Sequence, residues 1–85
     1  MIHKDQIDGY KGSPTDLAEA IGDLKYDALA NFLELLAAKI EKDAAKDRSR
    51  GRVQLATSLE KSAAHLVTAK LNIDIAWRIS APYMK

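Results

Sequence analysis

Between Asp23 and Ala81 the chain contains a single glycine, Gly51, and no proline. Nothing else in the sequence restricts the fold as strongly. The stretch is rich in Ala, Leu, Lys and Glu, which lose little rotamer freedom in a helix. β-Branched residues are sparse and no segment alternates apolar and polar side chains with period two, so strands are not expected. The expected fold class is all-α.

The remaining breakers set the boundaries. Gly9, Gly12 and Pro14 mark residues 1–13 as an irregular N-terminal arm. Ser13-Pro14 is a helix start, because serine caps exposed amides and proline fits the first turn. A short helix is predicted over about 14–21, with Leu17 and Ile21 one turn apart. Gly22-Asp23 is expected to end it and to cap the next helix, since glycine suits the C′ position and aspartate an N-cap. A continuous helix through Gly22 is the rival, at about 1 kcal/mol relative to alanine. The second helix is predicted over about 23–47 and the third over about 52–81, where Pro82 forces the preceding residue out of the α region. Residues 14–85 then form a single helical domain.

Lys46–Arg52 lies between the two long helices, with Ser49 and Gly51 as its turn-formers. A reversal here yields an antiparallel helical hairpin; without one, the chain is a single long coiled-coil helix. We take the reversal. Centred near Ser49–Arg50, it would set Ile40 against Leu59, Leu36 against Ala63 and Leu33 against Leu66. It would also bring Trp77 to Gly22, where a missing side chain leaves room for an indole.

Apolar spacing assigns each long helix a main stripe. On the second it is Leu29, Phe32, Leu33, Leu36 and Ile40, with Ala37 and Ala44 to one side and Leu35 to the other. On the third it is Leu55, Leu59, Leu66, Ile73 and Trp77, with Ala56 and Ala63 beside them and Lys70 and Asp74 within i,i+4 pairing distance. A further sector on the third helix holds Val53, Val67, Leu71 and Ile75, and Ile79 extends it. An apolar arc this wide implies more than one neighbour. The short N-terminal helix could cover part of it, as in a monomeric three-helix bundle. Two hairpins pairing into a four-helix bundle would cover it better. The expected state is a homodimer, with Val67, Leu71, Ile75 and Ile79 as the candidate interface.

Size points the same way. A chain of 85 residues buries a small fraction of its surface, and with no cysteine it has no disulfide to compensate. Charge is nearly balanced, with 13 Lys and Arg against 12 Asp and Glu, so no overall field draws it to nucleic acid or membrane. No apolar run approaches the roughly 20 residues that span a bilayer, and the N-terminus lacks an apolar signal core. The expectation is a cytoplasmic protein that is not integral to a membrane.

Chemical motifs are few. Lys46, Arg48, Arg50 and Arg52 outnumber Asp47 at the turn, and arginine forks suit phosphate or carboxylate. They are the candidate contact for a protein partner, nucleic acid or another anionic surface, weighed against a solvated turn neutralised by Asp43 and Asp47. His65 is the one histidine of the helical body. Phosphotransfer histidines usually have a basic residue three positions on, whereas this chain has Thr68 there, and an ordinary surface histidine is the simpler reading. No Glu-x-x-His occurs, and no phosphate-binding glycine loop, so no metal, cofactor or catalytic residue is assigned. The expected function is a small non-catalytic interaction or regulatory protein acting through self-association.

Overall fold

The computed structural model describes residues 3–83; Met1 and Ile2 of the arm and Met84 and Lys85 of the tail lie outside the described residues. Three α-helices follow one another: α1, Pro14–Gly22; α2, Tyr26–Ser49; and α3, Val53–Ser80. A 3-10 turn, Ala81–Tyr83, closes the described chain. No strand occurs among the described residues, and the whole is a single all-helical domain.

α1 begins with a reciprocal cap. The Asp16 amide donates to Ser13 Oγ and the Ser13 amide to Asp16 Oδ2, each at 3.1 Å. Two of the orphan amides of the first turn are satisfied in this way. At the other end the Asp23 amide donates to Glu19 O at 2.9 Å and the Leu24 amide to Ile21 O at 3.2 Å. Asp23 therefore closes α1 instead of opening α2. The second helix starts at Tyr26, behind Lys25, which offers no side-chain cap.

The chain leaves α2 through Gly51, whose φ is +81°. The Gly51 amide donates to Arg48 O at 3.1 Å and the Arg52 amide to Asp47 O at 2.9 Å. These are the two bonds of a Schellman motif, which needs a left-handed residue at C′. Helix cannot continue past such a residue, so α3 begins afresh at Val53. The single long helix is thereby excluded.

α2 and α3 pack along each other, and α1 makes no comparable contact with either. The buried residues are Ala30, Ala37 and Ala44 on α2 and Ala56 and Ala63 on α3, all within 2% of complete burial. No larger side chain is fully buried. The alanines recur every seventh residue. Leu33 and Ile40 on α2, and Leu59, Leu66 and Ile73 on α3, lie half-buried at the alternate positions of the same repeat. This is the 3-4 spacing of a coiled-coil seam.

The expected stripes are corrected accordingly. Ala37, Ala44, Ala56 and Ala63 are the centre of the contact, not its flank, while Phe32, Leu36 and Leu55 are exposed. The reason is distance: interaxial separation is set by the side chains at the contact, and methyl groups let two backbones come closest. The expected match of Trp77 with Gly22 does not form, since a Cβ built on Gly22 would meet nothing within 4 Å.

An exposed arm, an unpacked α1 and an alanine seam together leave much surface uncovered. The chain exposes 6750 Å², whereas a compact monomer of 9.4 kDa exposes about 5,000 Å². Its radius of gyration is 15.4 Å, against about 12 Å for a compact domain of this length.

Candidate interaction surfaces

The basic turn is built by the end of α2 and the Schellman reversal. Arg48 points back to α3 and forms a two-pronged pair with Glu60, Nε to Oε2 at 3.2 Å and Nη2 to Oε1 at 2.7 Å. Its Nη2 also donates to Thr57 Oγ1 at 3.3 Å. Arg52 Nη1 donates to Asp47 Oδ1 at 3.2 Å. Two of the four expected anion contacts are thus engaged within the chain. Among the described residues, neither Lys46 nor Arg50 forms an ion pair with a carboxylate. Asp47 is a neutralising group expected from sequence, whereas Glu60 is found only in the structure. Its signal was present, because residues flanking a seam on two packed helices face each other in charge pairs.

Asp43 bonds Lys39, one turn before it, and also feels the charge of Lys46 in the basic cluster. Lys39 Nζ donates to its Oδ2 at 2.5 Å, and Oδ1 is buried without a hydrogen-bond partner. That bond from Lys39, with the charges of Lys39, Lys46 and His3, holds the Asp43 carboxyl below its usual range against the opposing effect of burial. Asp16 is lowered by the backbone and side-chain bonds of Ser13.

His65 is exposed on the outside of α3 and makes no hydrogen bond among the described residues. No group of three or more metal-binding side chains occurs among those residues, and none of their helices is long and apolar enough to cross a membrane. The arm and the first turn of α1 enclose an open concavity of about 640 Å³, walled by Ile7, Tyr10, Pro14 and Leu17. A Cβ on Gly12 would sit 2.5 Å from the Tyr10 hydroxyl, so the exposed ring would have to swing aside. No charged side chain is buried in its wall.

The outer side of α3 carries a row of exposed apolar side chains. Val67, Leu71, Ile75 and Ile79 are 38%, 54%, 44% and 66% exposed. On α2, Leu35 is exposed on the side facing away from the seam. Between seam and outer surface, Lys70 Nζ lies 2.7 Å from Asp74 Oδ2. This bond raises the Lys70 pKa against the effect of burial, helped by the charges of Asp74 and of Glu34 across on α2. A buried-edge lysine with a carboxylate partner is held at the seam without an uncompensated charge.

No protein-family model matches the chain, and neither a curated protein nor a solved structure shows significant similarity to it.

Proposed function

We propose that this chain is a small non-catalytic interaction protein that acts as a homodimer. In this reading α2 and α3 form an antiparallel hairpin, and two hairpins associate into a four-helix assembly. One observation carries the reading: the buried residues are alanines alone, while Leu35, Leu36, Leu55, Val67, Leu71, Ile75 and Ile79 of the two long helices are exposed. A stable pair contact covers about 800 Å² on each partner. Burying leucine, isoleucine or valine is worth about 1.5–3 kcal/mol per side chain, and the single chain leaves that stabilisation unrealised. The surfaces left outside the pair contact would then meet a further protein.

The test is the solution mass by light scattering over a range of concentrations. A mass near twice 9.4 kDa, falling toward one chain on dilution with loss of thermal stability, is the expected result. A single-chain mass at every concentration, with full helix content, would overturn it.

A further inference from the structure

We draw no further inference here: the strongest candidate, the row of exposed apolar side chains Val67, Leu71, Ile75 and Ile79 on the outer side of α3, is an unpartnered face, and nothing in the structure shows what covers it.

Discussion

Arg48 and Glu60 clasp each other across the reversal between α2 and α3, guanidinium to carboxylate, with contacts of 2.7 and 3.2 Å. The pair is half exposed, and such pairs contribute at most about 1 kcal/mol. Its larger effect is on what the basic turn can offer. With Arg52 also held by Asp47, Lys46 and Arg50 are the turn cations left to face solvent.

Binding of duplex DNA through this turn should accordingly be weak and shallow in its salt response. Two cations displace few counterions, giving a log–log slope no steeper than about −1.8. A titration at several salt concentrations measures it. Glu60→Gln frees Arg48 and should steepen the slope by about 0.9; an unchanged slope would show that Arg48 does not depend on Glu60 for its position.

Gly51 and Gly22 should respond oppositely to alanine. At Gly51 a Cβ has open space, but φ is +81°, so strain alone makes Gly51→Ala cost about 1–2 kcal/mol. That lowers the melting midpoint by about 4–8 °C for each kcal/mol in a domain of this size. Gly22 closes α1 with ordinary helical geometry and equally open space. Gly22→Ala should stabilise α1 locally by up to about 1 kcal/mol. Thermal melts for the first and amide exchange within α1 for the second decide the matter.

The alanine seam predicts a reversal of the usual hydrophobic ranking. Ala37→Leu enlarges a side chain where the helices approach most closely and should cost about 1–3 kcal/mol. Ala63→Leu should do the same. Leu35→Ala, which removes a larger apolar group from the exposed side of α2, should change stability by about 0.5 kcal/mol or less. Urea unfolding of the three variants at equal concentration measures this, and a stabilising Ala37→Leu would refute the seam.

Acid should loosen the protein through Asp16 and Asp43. Both have pKa values lowered from the usual 3.8. The unfolded chain therefore takes up these protons more readily than the folded one. Their contribution is complete above the unfolded value and is lost as pH falls through the lowered folded values. Lys70 has the opposite sign: its pKa is raised from 10.5, so its contribution is complete below that value and disappears as pH climbs through the raised one. NMR titration of the two carboxyls should give midpoints below 3.8, and Asp43→Asn should flatten the acid limb of the stability profile. A normal Asp43 midpoint would contradict the bond from Lys39.

The helical class and the exposed apolar side chains of the long helices were legible in residue order, because they depend on local properties. Propensity and the position of glycine and proline act within a few residues, and an apolar arc can be counted on a helical wheel without knowing its neighbour. Gly51 was seen as a breaker, though the exact reversal depended on the Schellman bonds to Arg48 and Asp47. The alanine repeat at 30, 37 and 44 and at 56 and 63 was also present in the sequence. It was outranked there by leucine and phenylalanine, which score higher as core formers.

Only the tertiary structure decided which side of each helix turned inward. Hydrophobicity orders side chains by what they gain on leaving water, whereas contact between two helices is governed by how near their axes can come. Small side chains win that competition, and the pairing of Arg48 with Glu60 and Lys70 with Asp74 follows from the resulting rotation. The same rotation leaves Val67, Leu71, Ile75 and Ile79 exposed, because a helix that commits its alanines to one neighbour turns these larger apolar side chains away from it.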